Sequence, residues 1–529
     1  MSARTRARAT LAGGQHGYWD VGFDLTGKLN ESGSLLYRLN GGTGRQAFQA
    51  SEVRPEQDDL AAALTWRLSP RTQVDLDFEV SRRDQLIYPG LPVPDPLDAR
   101  SADDVPIENF YGEPDGSFDG RFELYTVRID HRFSDRWSLN AGYSKNFTER
   151  NVRQIRLPGV SGNTVNRGAN PFSQTFEVDT VQAELEGDLR LGGMRHRLTF
   201  TADRAGYTRT GSNNNLGTVD PIDLNDPQPT GATFSYGPES RSKVKDTGIA
   251  VQDYVEVNRF LNVLAGVRHS TYRETNPGVP DQTGESTDPT LAVILKPRRD
   301  VSVYASYASS FSPNSGTLTA PNTYAPPSEA RQWELGAKAE WFDAALRTTL
   351  AYFDLEKTNV PTPSADPQFS EISGKQRSRG WVVEAVGELT AAWKLIANYA
   401  WVDAEITRDN VATNVGNQAA QTPRQSGSAW TTYRLGAEAS GWTVGTGVFY
   451  TGRKYVASNN LVSIPSFAVV DAMASYRFAA VLPGARLQFN VRNLFDKRVY
   501  EGGSSGAAGF TALYPGLPRT LSASLAVPF

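Results

Sequence analysis

Apolar and polar residues alternate with a period of two along most of this chain, and few segments carry a 3.6-residue apolar stripe. In WELGAKAEW, Trp333, Leu335, Ala337, Ala339 and Trp341 share one face, and Glu334, Gly336, Lys338 and Glu340 share the other. In WTVGTGVFY, Trp442, Val444, Thr446, Val448 and Tyr450 alternate with Thr443, Gly445, Gly447 and Phe449. In VDLDFEV, Val74, Leu76, Phe78 and Val80 oppose Asp75, Asp77 and Glu79. The pattern predicts strands with one apolar and one hydrated face. Many runs last roughly 11–16 residues, whereas strands of soluble sandwiches are usually about 5–6. A tilted strand needs about 9–11 residues to cross a bilayer. Aromatics near the ends of the apolar face, as at Trp333 and Trp341, fit an interfacial girdle.

The connections fall into two classes. One is short: 31–34, 69–72, 134–137, 191–194, 296–300, 342–345, 390–393 and 438–441. The other is long and rich in Pro, Gly, Asn and Asp: roughly 84–118, 151–172, 211–241, 273–287, 312–329 and 408–424. Short turns on one rim and long loops on the other predict an all-β chain, a transmembrane antiparallel β-barrel of about 22 strands. Both chain ends then fall on the short-turn, periplasmic side. Unpaired backbone amides are costly in lipid, so closure of the sheet is what lets such strands span.

Composition narrows the chemistry. Lys and Arg number 54 against 58 Asp and Glu, with no basic tail or acidic run, so no nucleic-acid partner is expected. There is no cysteine, which excludes disulfides, thiolate metal sites and Cys nucleophiles. With 24 Phe, 21 Tyr, 10 Trp and 47 Gly in 529 residues, the chain reads as a large β-protein. No apolar stretch is long enough for a transmembrane helix,. The opening MSARTRARATLAGG lacks the apolar region of a signal peptide.

Catalytic patterns are thin. His16, His131, His196 and His269 lie far apart, and none sits in a metal-ligand spacing such as HExxH,. The GTG at Gly42–Gly44 has no helix after it to make a phosphate loop,. The pair Asp75/Asp77 shares one strand face, which could serve a glycosidase, but such pairs arise by chance among 58 acidic residues. The expectation is no enzyme and no resident metal or cofactor.

The C-terminal half closely resembles TonB-dependent siderophore receptors of the ferrichrome and pyoverdine type. The matching stretches are Ser302–Phe311, Pro326–Lys338, Leu346–Val360, Arg377–Leu389, Leu395–Thr407, Thr422–Leu435 and Pro465–Phe478. NVRNLFDKRVY (Asn490–Tyr500) is the most specific, and YPGLPRTLSASLAVPF (Tyr514–Phe529) follows it. In the N-terminal half the likeness is looser: residues 4–13 resemble the first barrel strand, and Leu25–Gly42 the first complete hairpin, with Gly33 in its turn.

The resemblance implies residues 1–529 as a receptor barrel, without the TonB box and plug that precede it in the family. It implies a bacterial outer-membrane monomer that binds a ferric siderophore at its mouth. Iron would be carried only within that ligand, and uptake driven by the TonB–ExbB–ExbD complex when a plug is present. Tyr88, Phe110, Tyr111, Tyr236, Phe311, Tyr324, Tyr455 and Tyr514 are the implied ligand-binding aromatics; ordinary loop packing is the alternative for each. Asp75, Asp77, Glu79, Glu334, Lys338, Glu384, Arg492 and Arg519 would face the lumen and a plug, or simply form a hydrated wall. The family's terminal aromatic, read by the barrel assembly machinery, corresponds to Phe529; Pro528 stands where the family usually has a basic residue. Two rival readings remain: an unplugged passive pore or receptor remnant, and a secreted all-β enzyme or lectin.

Overall fold

The computed structural model describes residues 5–212, 215–364, 366, 368–436, 440–506 and 508–529. One sheet runs through the molecule and closes on itself as a barrel of 22 antiparallel strands. A two-residue bridge, Ile222–Asp223, pairs with Thr164 and Val165 at the upper end of one strand. Consecutive barrel strands pair with each other, and the seam joins Arg6–Gly14 to Thr520–Pro528 with Leu11 opposite Leu525. Every strand therefore has two neighbours, which removes the free edges that an open sheet would expose to lipid.

Directly opposed residues of an antiparallel pair share a face, so the ladders give each residue's side. Ala337, Leu350, Val383 and Tyr399 follow one another around the outside; Leu11, Val21, Leu521 and Phe489 lie on the same surface. These outward residues are exposed, Trp333 at 64% and Leu335 at 56%, which only a hydrocarbon surround makes favourable. Aromatic pairs frame the belt: Tyr307–Trp333, Tyr352–Trp381 and Trp442–Tyr476 have centroids 4.8, 4.9 and 5.2 Å apart.

The short turns lie where the sequence puts them, although two further ones, 257–260 and 478–485, escaped notice. The connection at 438–441 falls partly outside the described residues. In the turn 342–345, Phe342, Asp343 and Ala344 all have positive φ (54, 56 and 65°), a conformation costly for L-residues. Ala344→Gly is expected to stabilise the protein by roughly 0.5–1 kcal/mol; urea unfolding in detergent would measure it, and an unchanged midpoint would count against strain there.

The long-loop rim departs from expectation in two places: the strands Leu261–Thr275 and Gln282–Arg298 reduce the expected loop 273–287 to 276–281, and the second departure is larger. Residues 151–172 are not a loop. The strands Trp137–Ser161 and Thr164–Leu191 continue far above the belt as a hairpin that turns at Gly162 (φ +61°). Its upper part buries Val152, Ile155, Leu157 and Val165, so the tall hairpin is held by packing against neighbouring loops. Two further long connections, 452–466 and 493–519, belong to the same rim.

Candidate functional site

The buried apolar cluster lies above the membrane, in the loops. Leu91, Val93, Tyr111, Leu157, Val165, Ile222, Val462, Ile464, Phe510 and Leu513 form its centre. They come from the connections 87–116, 213–238, 452–466 and 493–519 and from the tall hairpin. A small sheet of Leu91–Pro92, Tyr500–Gly506 and Gly509–Pro515 ties the first and last of these together. The result is a packed cap along one side of the mouth.

Polar contacts lock the cap. Arg167 and Glu113 form an ion pair at 2.8 Å with side chains 0% and 1% exposed. Arg167 also donates to the Asp220 carbonyl at 2.7 Å, the Gly112 carbonyl at 3.1 Å and Thr230 Oγ1 at 2.7 Å. Glu113 accepts from the Thr230 and Gly231 amides at 3.0 and 3.1 Å. Burial pushes the Glu113 carboxyl up, but those two amides and Arg167 outweigh it and hold the group below its ordinary value,. Arg498 donates to the carbonyls of Ala102, Asp103 and Val105, crossing the end of the 3-10 turn Ala99–Ala102.

A second knot lies across the connections 276–281 and 313–327. Glu274, 2% exposed, accepts at Oε1 from the Gly316 amide and from Asn276 Nδ2, both at 2.8 Å. Asn276 also donates to Tyr324 Oη at 2.9 Å. Gln282, directly opposite Glu274, donates to the Ala325 carbonyl at 2.7 Å. The carboxylate thus fixes the loop that carries Tyr324.

The eight aromatics singled out from the sequence divide by this geometry. Tyr111 is fully buried, and its hydroxyl donates to the Leu224 carbonyl at 2.6 Å. Tyr88 packs edge-on against Phe48, with centroids 5.2 Å apart, and against the cap. Burial raises both phenols above their ordinary value,. Phe110 covers Gly112, where a side chain would collide with its ring. Phe311 stacks on Tyr272 at 6.0 Å. Tyr455 carries Arg453 over its ring at 5.4 Å. Tyr236 and Tyr514 are exposed, at 40% and 37%, and Tyr324 is half-buried beside Asn276. Tyr236 and Tyr514 are the most exposed of the eight, and Tyr324, Phe110, Phe311 and Tyr455 keep partial surface.

The charged group is spread over the inner wall and the rim. Asp75 accepts from Thr65 Oγ1 at 2.5 Å and Gln73 Nε2 at 2.9 Å, and pairs with Arg128 at 3.0 Å. Asp77 faces Ala63 and Thr126. Glu79 borders a recess with Asp20, Asp24 and Asp59. Tyr304 donates to Glu334 at 2.5 Å and lies under the Lys338 ammonium, 5.6 Å from its centroid. Glu384 stands between Thr349 and Asn398. Arg492 ends its strand opposite Thr520 at the long-loop rim. Arg519 sits in the connection before the last strand, 3.9 Å from Asp496. Phe529 closes the last strand on the outward side, 76% exposed, its amide donating to the Ala7 carbonyl at 2.8 Å.

Sequence reasoning missed Glu113, Arg167, Arg498 and Glu274. They lie in irregular or overhanging segments, where period-two alternation carries no information about partners. No local signal marks them.

With this geometry in hand, the likeness to known proteins is specific. Residues 65–494 match the family described as TonB dependent receptor-like, beta-barrel. The metal-pseudopaline receptor CntO of Pseudomonas aeruginosa is 29% identical over 551 aligned positions, covering 97% of this chain and 74% of that receptor. The ferrichrome outer membrane transporter/phage receptor of Escherichia coli K12 is 27% identical, covering 92% of this chain and 69% of its own length. The crystal structure of the siderophore receptor PiuA from Acinetobacter baumannii superposes with a TM-score of 0.89 at 20% identity, covering all of this chain and 82% of that one. Members of this family are outer-membrane receptors and transporters, not enzymes. The chain belongs to the TonB-dependent receptors, and its 22 strands are their outer-membrane β-barrel.

Proposed function

We propose that this protein captures a ferric siderophore or a closely related metal chelate at its long-loop mouth and delivers it across the outer membrane without chemical change. The observation that carries the reading is the mouth itself: loops packed around a buried core, presenting Tyr236, Tyr324 and Tyr514 beside hydrated walls. Rigid aromatic surface with polar neighbours suits a bulky, hydrogen-bonding chelate. Cooperation with TonB–ExbB–ExbD through a plug, monomeric assembly and lack of catalysis belong to the same proposal, as does residues 1–529 being barrel alone.

Quenching of intrinsic tryptophan fluorescence by iron-loaded ferrichrome, iron-loaded pyoverdine and metal-loaded pseudopaline tests it. One chelate should bind with a dissociation constant below about 1 µM, about −8 kcal/mol. Tyr236→Ala or Tyr324→Ala should weaken it about tenfold, as expected for aromatic anchors. If the folded barrel binds none of them and conducts ions steadily in planar bilayers, the passive-pore reading replaces this one.

A further inference from the structure

The knot across the connections 276–281 and 313–327 contains a buried carboxylate with no cation beside it. Glu274 ends the strand Leu261–Thr275 on the inner face, directly opposite Gln282. Its Oε1 is filled by the Gly316 amide and Asn276 Nδ2, both at 2.8 Å. Its Oε2 is enclosed and has no hydrogen-bond partner. Gln282 repeats the pattern. Its Nε2 donates to the Ala325 carbonyl at 2.7 Å and to Tyr272 Oη at 3.2 Å, while its Oε1 is enclosed and unpartnered. Among the described residues no Lys, Arg or His lies within ion-pair distance of Glu274; the adjacent Arg273 faces the other side of the sheet and pairs with Asp281 at 2.5 Å. Directly opposed residues carry their Cβ atoms about 4.5–5.5 Å apart, so two facing side chains each present an acceptor with no donor, beneath one loop. An enclosed carboxylate without a counter-ion is costly, and buried charges are normally paired or hold a metal.

We propose that Glu274 Oε2 and Gln282 Oε1 are ligands of a calcium ion that fastens the loop 313–327 across the connection 276–281. One cation between the two side chains answers both unpartnered oxygens and the uncompensated charge. A water molecule in its place would satisfy the hydrogen bonding and leave the charge. The donor set is a carboxylate and an amide carbonyl, hard oxygens that suit Ca²⁺ and not the metals that prefer His or Cys. Ca²⁺ accepts an irregular shell of about 6–8 oxygens, completed by water, whereas Mg²⁺ demands near-ideal octahedral geometry and sheds its water reluctantly. A single formal charge places the affinity at the weak end, about 10⁻⁴–10⁻³ M, the range of extracellular calcium modules. The ion acts by position. The same carboxylate holds the Gly316 amide and the same Gln282 holds the Ala325 carbonyl, so both ends of the segment that carries Tyr324 hang on the two ligands. The proposal concerns the order of this loop and needs no chelate, so it stands or falls separately from the receptor reading.

Limited proteolysis of the detergent-solubilised barrel by chymotrypsin tests it, read as the rate of cleavage after Tyr324 in calcium and in excess chelator. Cuts elsewhere on the chain control for effects of calcium on the protease. At ten times the dissociation constant, binding lowers the open population about tenfold, so calcium should slow this cut by about that factor, with half the effect between about 0.1 and 1 mM. Glu274→Gln keeps an acceptor for Gly316 and Asn276 and turns an amide N–H, without charge, towards Gln282 Oε1. It should resist cleavage in chelator as well as the calcium-loaded wild type does, and should not respond to calcium. A wild type cut equally fast in calcium and in chelator overturns the proposal, as does a calcium response that survives in Glu274→Gln. Equal protection by magnesium overturns it in favour of general screening of the carboxylate. Because the wild-type comparison alone can overturn the proposal, the test does not depend on the variant folding.

Discussion

Leu350→Arg should destabilise the barrel in lipid by about 2–4 kcal/mol, the effect of placing a cation at the midplane of a barrel's outer face. Leu350 faces outward between Ala337 and Val383, midway between the levels of Trp333 and Trp341, and is 45% exposed. Thr349, one residue earlier, faces inward between Lys338 and Glu384. Thr349→Arg should therefore change stability by less than about 1 kcal/mol, because the lumen is hydrated. Urea unfolding in thin-bilayer vesicles measures both variants. Equal effects would mean that the two faces do not meet different solvents, and the membrane assignment would fail with them.

Glu113→Gln should loosen the loop cap by about 3–5 kcal/mol, because it leaves Arg167 buried and uncompensated. The barrel below should be untouched, since neither residue lies in the belt. Trypsin should then cut after Arg100, within 87–116, while the heat-modifiable barrel band persists on gels. A variant as resistant as the wild type would show that apolar packing alone holds the cap. Acid should have a similar effect. The folded carboxyl of Glu113 lies below its ordinary value. Its contribution is therefore complete above the ordinary carboxylate range and fades as the pH falls through the folded value.

The barrel was legible because period-two alternation is repeated on nearly every strand and the lipid face tolerates few exceptions. WELGAKAEW alone gives the sides of nine residues, and the ladders place Trp333, Leu335 and Ala337 together outside. Above the belt that signal changes meaning. In 151–172 the residues Pro158, Gly159, Gly162 and Asn163 read as a loop, yet the strands continue because loops far away in sequence bury Val152, Ile155 and Leu157. The same reason hid Arg167: its partner Glu113 lies in a different connection. Among the aromatics, residue type alone could not separate buried Tyr111 from exposed Tyr236.

The seam has a consequence for how the molecule is made. The Leu521 amide donates to the side chain of Gln15, 506 positions earlier, and the first strand finds its second neighbour only when the last has been delivered. Hairpins can form early, because their ends are close in sequence. Ring closure cannot, and contacts of such separation are entropically late and slow. Until then the first strand presents an open edge and an apolar flank to whatever surrounds it. Losing the last nine residues would therefore leave a curled, unclosed sheet exposed to aggregation and proteolysis, however intact the other strands remained.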